Sequence, residues 1–442
     1  TLARASEISQ GVHLASRPCT HDNESLGITT YRKPIRAPSL RRKKQRRYDV
    51  STELPVPSAS GKLVFGAGRL EELGSLVRKL NLRRTLVISD PGVMASGHLE
   101  KALVSLEKQE IKAISYTDIE ENPSTESVER AADFARGKKI ELIIGLGGGS
   151  AMDAAKACSL VLTQRGSIQD YEGYGKLQES TIPILCIPTT AGTGSEVQSA
   201  ALISDTKTHR KIVIIDPKLR PIAAILDPEL GLSQPSLVSE ASGLDAIGHA
   251  IEAAVTKSGN QRSWQYSCEA LKLGIKAFEK ILEDPNNIPA RASMLLAASY
   301  AGLAIEESML GAAHACANPL TQEFGLRHGF AVGLALPSVI RFNATHCSEQ
   351  YSKLAHYIGL SDLHDTEVVA TEKLASSIEK LLASTQAPFV WSKLDLPTGW
   401  IPKLASAATH QRTAQFNPRK TNKEEFEKLY SGILLTAAKE TQ

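Results

Sequence analysis

The segment IIGLGGGSAMDAAKA (143–157) contains an apolar run, a glycine turn and the start of a helical pattern. Glycines at 147–149 allow positive φ and let other groups approach the backbone closely. Ser150 is predicted to cap a helix that begins near Ala151. The free N–H groups and the positive dipole end of such a helix suit a pyrophosphate. The segment therefore predicts a phosphate-binding turn between strand and helix, and tight packing of the helix on the strand is the simpler alternative.

Short apolar runs on both sides of this segment predict the other strands. They are LVFGAG (63–68), TLVIS (85–89), ELIIG (141–145), PILCIP (183–188), KIVIID (211–216) and IAAIL (222–226). Runs without alternation indicate strands buried on both faces of a parallel sheet, with helices as crossovers. Beyond about residue 230, Ala- and Leu-rich helical periodicity dominates. We therefore predict an α/β dinucleotide-binding domain with a Rossmann-like parallel sheet at 52–229 and an all-helical domain at 230–442.

The N-terminal arm, residues 1–51, differs from the rest of the chain in charge. Residues 1–48 contain 11 Lys and Arg against 3 Asp and Glu, whereas the remainder contains 40 against 45. The arm includes RRKKQRR (41–47) and lacks hydrophobic periodicity, so we expect it to be disordered by itself. It fits an organelle transit peptide, a segment that binds an acidic partner, or an inert extension.

The composition limits where the protein acts. Six scattered cysteines without a CxxC pair indicate a reducing compartment. No uninterrupted apolar run reaches the roughly 18 residues of a membrane span, so none is predicted. We expect a cytoplasmic protein, or one of an organelle matrix if the arm is a transit peptide. Neither a membrane nor a nucleic acid is an expected partner.

Two further strand ends carry polar groups. The segment PTTAGTGSE (188–196) follows a buried run and offers hydroxyls that suit phosphate or ribose, with a capped turn as the alternative. Asp90 follows the run TLVIS, where a carboxylate can accept hydrogen bonds from ribose hydroxyls and repel a 2′-phosphate. This position favours NAD over NADP, although an Asp in a DPG turn is also common.

A cluster of possible metal ligands lies in the helical part. In SGLDAIGHAIEA (242–253), Asp245 and His249 are four residues apart and share one helix face. His314 lies in another helical run, and His328 follows a turn or kink predicted at Asn318–Pro319. Three imidazoles and a carboxylate suit Fe²⁺ or Zn²⁺ better than Mg²⁺ or Ca²⁺. The alternative is that Asp245 and His249 simply bond each other and hold no metal.

Together these motifs resemble the iron-containing (group III) alcohol dehydrogenase family. The matching segments are GGGSAMDAAK (147–156), PTTAGTGSE (188–196), LDPEL (226–230), GLDAIGHAIEA (243–253) and GAAHACANPL with the later HG (311–329). The resemblance extends over about residues 55–440. It implies a dehydroquinate synthase-like fold with an active site between an α/β and a helical domain. It also implies metal-dependent, NAD(P)-linked, reversible hydride transfer between a small primary alcohol and its aldehyde.

The resemblance also assigns residues. The metal ligands it implies are Asp245, His249, His314 and His328, with His314 and His328 catalytic through the metal. The cofactor-binding residues it implies are Asp90, Asn122, Gly147, Gly148, Gly149, Ser150, Ala151, Thr189, Thr190, Thr193, Leu202, Lys211 and Leu230. The implied cofactors are NAD, with NADP less favoured, and Fe²⁺, with Zn²⁺ as the alternative. A homodimer or larger homo-oligomer is expected.

The chain departs from the family pattern at two positions. The family usually has His four residues after the third ligand and another His after the LP at 336–337, whereas this chain has Asn318 and Ser338. Asn318 cannot titrate, so an acid–base role there is in doubt. A polyol or hydroxyacid dehydrogenase of the same fold is an alternative, and so is a dehydroquinate-synthase-like lyase, although the lyase uses a Glu where this chain has Asp245. A non-catalytic polymerising scaffold, or a nucleic-acid binder acting through residues 41–47, is the alternative from another class.

Overall fold

The computed structural model describes residues 61–207 and 210–439, with side chains to residue 435. The predicted arm, residues 1–51, lies outside the described residues. All described residues belong to one compact unit, Arg47–Gln442. The last strand ends at Leu226 and the first long helix begins at Ser236. The division of this unit into two domains at residue 229 stays a prediction.

The first part of the chain forms an α/β layer. Its strands are β1 Lys62–Phe65, β2 Arg84–Ile88, β3 Lys112–Tyr116, β4 Leu142–Gly147, β5 Gly173–Tyr174, β6 Ile184–Pro188, β7 Ala200–Asp205, β8 Arg210–Ile215 and β9 Ala223–Leu226. Six of them form one sheet in the order β1-β9-β6-β4-β2-β3, and every pairing in it is parallel. The predicted parallel sheet is confirmed.

The helices of the α/β layer cover both faces of this sheet. They are α1 Leu73–Lys79, α2 Pro91–Ala95, α3 His98–Glu107, α4 Thr125–Ala135 and α5 Gly149–Thr163. Two separate clusters of buried apolar side chains lie on the two sides of the sheet. Strand β4 is buried at every residue, as a continuous apolar run predicts for a central parallel strand.

A second sheet contradicts one part of the strand prediction. Strands β5, β8 and β7 form a three-stranded sheet, in which β7 and β8 are antiparallel. The run KIVIID (211–216) therefore forms a strand, but not a strand of the parallel sheet. Its burial alternates between exposed and buried residues, because only one face of this small sheet packs on the core.

The second part of the chain is helical. Its helices are α6 Ser236–Val255, α7 Gln261–Glu283, α8 Ile288–Ser308, α9 Ala312–Phe324, α10 His328–Tyr357, α11 Glu367–Ala383, α12 Ala387–Ser392, α13 Trp400–Thr409 and α14 Lys423–Lys439. They share one continuous apolar core. Within the described residues, α8 alone is long and apolar enough to cross a membrane. In this fold 72% of its apolar window is buried, as in the core helix of a globular protein.

Two local predictions are wrong. Ser150 does not cap α5, because the helix begins at Gly149, its N-cap is Gly148, and no side chain bonds the cap. Of the turn or kink predicted at Asn318–Pro319, the turn is absent, since α9 continues through Pro319 to Phe324, and the kink stays a prediction. Burial of Pro319 against the helical core keeps it in the helix despite the lost hydrogen bond.

The order of the strands creates a crevice at the carboxyl edge of the sheet. From β2 the chain runs first to β3 on one side and then to β4 on the other side, so the winding direction reverses between β2 and β4. Ligands of open α/β sheets bind outside the carboxyl ends of the strands at such a point. Asp90 follows β2 and the glycine turn follows β4, so both lie at this crevice.

Candidate active site

The glycine turn presents backbone rather than side chains. A Cβ at Gly147 would lie 2.8 Å from Ala151 Cβ and 2.9 Å from Asp90 Oδ2, and Gly147 has φ of 153°. No side chain bonds the start of α5, so its first N–H groups remain for another partner. Backbone packed this closely, at an uncapped helix start, can hold a phosphate group.

The loop after β6 faces this turn. A Cβ at Gly149 would lie 2.7 Å from Thr193 Cγ2, and a Cβ at Gly148 would lie 3.4 Å from Thr190 Cγ2. Thr189 N donates a hydrogen bond to the carbonyl of Gly147, at 2.9 Å, and so continues the pairing of β4 with β6. The structure thus brings the two predicted loops together.

Asp90 is placed as its position after β2 predicts. Its Oδ1 accepts a hydrogen bond from Val93 N at 2.9 Å and so caps the short helix α2. Its Oδ2 lies toward Gly147. One carboxylate oxygen therefore holds the local turn, while the other lies beside the glycine turn.

Asn122, Ser150 and Lys211 form a polar group on the other side of the glycine turn. Asn122 N donates to Ser150 Oγ at 3.1 Å, and Lys211 Nζ donates to Asn122 Oδ1 at 2.8 Å. Asn122 has φ of 58°, a left-handed conformation that Asn tolerates. Ser150 thus orders the loop after β3 instead of capping its own helix.

Three other predicted cofactor residues have different surroundings. The side chain of Leu230 is buried in one apolar cluster of the α/β layer. Ala151 is also buried, inside the first turn of α5. Leu202 is exposed on β7, and its N–H donates to Asp153 Oδ2 at 3.2 Å.

A buried polar network supports the two loops from below, and the sequence analysis missed it. The fully buried Lys156 Nζ donates to Ser195 O and Ser195 Oγ, both at 2.7 Å, and to Ala200 O at 2.8 Å. Asp153 Oδ1 accepts from Ser195 Oγ at 2.6 Å. Burial raises the pKa of Asp153. An Asp and a Lys three residues apart in the otherwise apolar helix α5 were the available signal.

The four predicted metal ligands converge from three helices. Asp245 and His249 lie on α6, His314 on α9, and His328 at the first residue of α10. The distances from Asp245 Oδ1 to the imidazole Nε2 atoms are 3.4 Å for His249, 3.5 Å for His314 and 3.6 Å for His328. The rings of His249 and His314 are stacked, with centroids 4.8 Å apart.

Burial sets the charge of this cluster. It lowers the pKa of His249 to about 4 and that of His328 to about 3, so both rings are neutral near neutral pH. Burial also acts on His314, but the nearby carboxylates of Asp245 and Glu252 outweigh it and raise its pKa to about 9. Burial would raise the pKa of Asp245, and the three imidazoles hold it below its usual value instead.

The cluster fits a divalent cation. Asp245 Oδ1 and His314 Nε2 are buried without a hydrogen-bond partner in the described residues. Buried polar atoms without partners are costly, and a metal ion would satisfy both. The ligand atoms of Asp245, His249 and His314 all lie within 4.8 Å of one another, and His328 Nε2 lies 3.6 Å from Asp245 Oδ1. Tetrahedral ligands with metal bonds of about 2.0–2.2 Å lie roughly 3.4 Å apart, close to the distances from Asp245 Oδ1. Three imidazoles and one carboxylate match the preferences of Fe²⁺ and Zn²⁺.

A second acidic residue touches the cluster and was not singled out from the sequence. Glu252 lies on α6 three residues after His249, and its Oε2 is 2.7 Å from His314 Nδ1. Its spacing from Asp245 and His249, which repeats the helical period, was the available signal. The residues at the two departures from the family pattern bond or pack against other groups of the helical part. Asn318 Nδ2 donates to Gln411 Oε1 at 3.0 Å, and Ser338 packs against Gly432 of α14.

One loop joins the glycine turn to the metal-ligand cluster. Thr193 packs on Gly149, and one residue earlier a Cβ at Gly192 would lie 2.9 Å from Ser242 of α6, three residues before Asp245. The charge of Lys211 acts on both Asp245 and His328. The predicted phosphate site and the predicted metal site are thus neighbours across one crevice.

Known proteins share this sequence and architecture. The family described as iron-containing alcohol dehydrogenase matches residues 60–228, and the C-terminal part of the Fe-containing alcohol dehydrogenase family matches residues 239–434. The NAD-dependent methanol dehydrogenase of Bacillus methanolicus is 28% identical over 368 residues, 83% of this chain and 96% of that protein. The long-chain-alcohol dehydrogenase 1 of Geobacillus thermodenitrificans is 31% identical over 350 residues, 78% of this chain and 88% of that protein.

A solved structure of this kind of enzyme has a similar fold. The crystal structure of a 1,3-propanediol oxidoreductase has a TM-score of 0.81 and 28% sequence identity, covering 84% of this chain and 97% of that one. The chain therefore belongs to the iron-containing alcohol dehydrogenase family and is an oxidoreductase of that family, as its motifs predicted.

Proposed function

We propose that this protein is an NAD-linked, divalent-metal-dependent dehydrogenase that interconverts a small primary alcohol and its aldehyde. The observation that carries the proposal is that the Nε2 atoms of three imidazoles each lie 3.4–3.6 Å from one carboxylate oxygen, Asp245 Oδ1, across the crevice from the glycine turn. A nucleotide bound along the carboxyl edge of the sheet would extend from Asp90 and the glycine turn toward that cluster.

Different residues of the crevice would bind different parts of NAD. The first N–H groups of α5 and the hydroxyls of Thr190 and Thr193 would hold the pyrophosphate. Asp90 Oδ2 would accept hydrogen bonds from the adenosine ribose and repel a 2′-phosphate, so we propose NAD rather than NADP. Lys211, bonded to Asn122, would hold the loop after β3 against the bound dinucleotide.

The four ligand residues would hold the cation and set its surroundings. When bound, a divalent ion supplies Lewis acidity at the alcohol oxygen, and the nicotinamide supplies the hydride acceptor. Asp245, His249 and His314 are buried and exclude water from that point, whereas 32% of the His328 side chain remains exposed. We infer that substrate enters on the His328 side. His314 and His328 act as ligands, because their Nε2 atoms face Asp245 and are not free to transfer a proton.

The metal and the substrate range follow from different arguments. The donor set accepts Fe²⁺ or Zn²⁺, and membership of the iron-containing family favours Fe²⁺. A polyol is the second candidate substrate, since the chain is similar to a 1,3-propanediol oxidoreductase over nearly all of that protein. We further propose a homodimer or larger homo-oligomer and a cytoplasmic location, with an organelle matrix as the alternative.

The test is a metal and activity assay on the full chain. The purified protein should contain about one divalent ion per chain and should reduce NAD with short alcohols and diols. Chelation should abolish the activity, and Fe²⁺ or Zn²⁺ added back to the same sample should restore it. Full activity in the metal-free protein would contradict the proposal, as would metal-loaded protein that oxidises none of these substrates.

A further inference from the structure

Glu252 makes an unusual set of contacts for a buried acid. Only 3% of its surface is exposed, and it lies on α6 two helical turns after Asp245. Its carboxylate accepts hydrogen bonds from Gly311 N at 3.0 Å, Ala313 N at 2.6 Å and His314 N at 3.3 Å. The same carboxylate is 2.7 Å from the Nδ1 atom of His314. A single side chain of α6 thus holds both the start of α9 and the ring that α9 carries.

These contacts replace the missing cap of α9. The N-cap residue is Gly311, which has no side chain, and Asn417 Oδ1 accepts the one first-turn N–H that Glu252 does not bond, that of Ala312, at 3.1 Å. A Cβ at Gly311 would lie 3.0 Å from Glu252 Oε1, so the absence of a side chain there lets the carboxylate approach. A negative charge at this helix start is also favoured by the helix dipole.

The geometry determines which nitrogen of His314 carries the proton. A carboxylate that accepts three backbone N–H groups is acceptor-only, so the hydrogen bond to Nδ1 requires a proton on Nδ1. The lone pair of the neutral ring is then on Nε2, which lies 3.5 Å from Asp245 Oδ1. That orientation is the one a metal ligand needs, and a carboxylate behind the imidazole also increases its basicity.

We propose that Glu252 is a positioning residue, which fixes the Nδ1-protonated tautomer and the orientation of His314 so that Nε2 faces the metal. It also supplies a negative charge, on the Nδ1 side of His314, that adds to the charge of Asp245 in balancing a divalent ion. This inference rests on the proposed function, since it assumes that the cluster binds a metal. Glu252 would act on the reaction only through His314 and the ion.

The experiment measures metal affinity rather than turnover. Zn²⁺ binding to the wild-type chain and to the Glu252→Gln variant is measured by competition with a chelator of known affinity. The amide oxygen of Gln can still accept from α9, but its NH₂ group cannot accept from Nδ1. We expect affinity for Zn²⁺ to fall roughly 10- to 100-fold, as for other residues behind metal-bound histidines.

A matched control lies on the same helix. Glu240 is a buried acid of α6 that also bonds the start of another helix, because its Oε2 accepts from Gln386 N at 2.7 Å, next to α12. Its hydrogen bonds within the described part of the chain go to Ser236 and Gln386, and none goes to an imidazole. Both Glu240→Gln and Glu252→Gln should lower the melting temperature of the metal-free protein, whereas only Glu240→Gln should keep the wild-type affinity for Zn²⁺. A purely structural role of Glu252 predicts that the two variants bind Zn²⁺ equally.

The outcomes separate the inference from the proposed function. Wild-type affinity for Zn²⁺ in folded Glu252→Gln overturns the inference and leaves the proposed function intact. Absence of Zn²⁺ binding to the wild-type chain overturns both. If Glu252→Gln does not fold, nitrogen NMR of the histidine rings in the Zn²⁺-loaded wild-type chain decides, since a proton on Nε2 of His314 would contradict the inference and one on Nδ1 would support it.

Discussion

The two halves of the site are built in opposite ways. At the carboxyl edge of the sheet, the contact surface is mostly backbone and small residues, held from below by buried polar groups such as Lys156. In the helical part, the contact atoms belong to four long side chains that three helices bring to one point. The nucleotide half of the site depends on the absence of side chains from the glycine turn. The metal half depends on the side chains that the three helices supply.

This difference predicts separate failures. Removing a ligand side chain should eliminate metal binding and leave the dinucleotide in place, because the nearest described neighbours of the glycine turn are Asp90, Val93, Ala151 and two threonines rather than the four ligands. Adding a side chain to the turn should do the reverse. The following variants test whether the two halves fail independently.

The largest effect is expected for Asp245→Ala. Asp245 Oδ1 is the atom on which the three imidazoles converge, so its loss removes the only anionic ligand. We expect bound metal to disappear and kcat/KM for alcohols to fall roughly 10³-fold or more, which corresponds to several kcal/mol of transition-state stabilisation. Affinity for NAD, measured by calorimetry, should change by less than about twofold, because Asp245 is not part of the glycine turn. Retained alcohol oxidation would show that the cluster is not the reaction centre.

The next largest effect is expected from removing the buried lysine that supports the nucleotide half of the site, at the carboxyl edge of the sheet. Lys156→Met removes three hydrogen bonds to Ser195 and Ala200 and leaves Asp153 buried without its cation. The free energy of unfolding should fall by about 3 kcal/mol, and affinity for NAD should weaken as the loop after β6 loosens. Denaturant unfolding measures the first change and NAD titration the second.

The control for this variant is Lys276→Met, which alters an exposed lysine of α7. Its effect on the free energy of unfolding should stay within about 0.5 kcal/mol. Metal content per folded chain should be unchanged in both variants. If Lys156→Met lost metal as readily as NAD, the two halves of the site would not be independent.

The contrast between the halves also explains what the sequence could predict. The glycine turn and the polar strand ends are local signals, and the chain order of the strands places them at one crevice. Asp245 and His249 are local as well, being one helical turn apart. That His314 and His328 join them depends on how three helices pack, which no short-range pattern encodes. Those two assignments therefore depended on the family resemblance.

The misses have tertiary causes. Apolar periodicity identified the strand in KIVIID but could not identify its partners, which are the short β5 and the antiparallel β7. Pro319 is a local helix breaker, yet packing of α9 on the helical core keeps it in the helix. Lys156 and Glu252 are charged residues that act from buried positions, so only the structure shows which groups they bond.

Gly147→Ala tests the glycine turn itself. The new Cβ would lie 2.8 Å from Ala151 Cβ and 2.9 Å from Asp90 Oδ2, and the positive φ adds strain. The start of α5 must move, so we expect the Kd for NAD to rise roughly 10- to 100-fold, a change of about 1.4 to 2.8 kcal/mol. Metal content should remain at the wild-type value.

Gly97→Ala is the matched control for this substitution. Gly97 also has a positive φ, 78°, but a Cβ there would meet no atom within 4 Å. Gly97→Ala should lower the free energy of unfolding slightly, because of the backbone strain, and leave NAD binding unchanged. Equal loss of NAD affinity in both variants would attribute the effect to global destabilisation rather than to the turn.

The smallest effect should come from Asp90→Asn, which sharpens the comparison by changing charge without changing shape. Asn caps a helix as well as Asp does, so the hydrogen bond from Val93 N and the helix α2 should persist. Without the carboxylate, repulsion of a 2′-phosphate disappears, and one ribose contact weakens. The ratio of kcat/KM for NADP to that for NAD should therefore rise roughly five- to tenfold, about 1 to 1.4 kcal/mol. Steady-state kinetics with both cofactors measures this ratio. An unchanged ratio with unchanged stability would mean that Asp90 only holds its own turn. The choice between NAD and NADP would then be made elsewhere along the sheet edge.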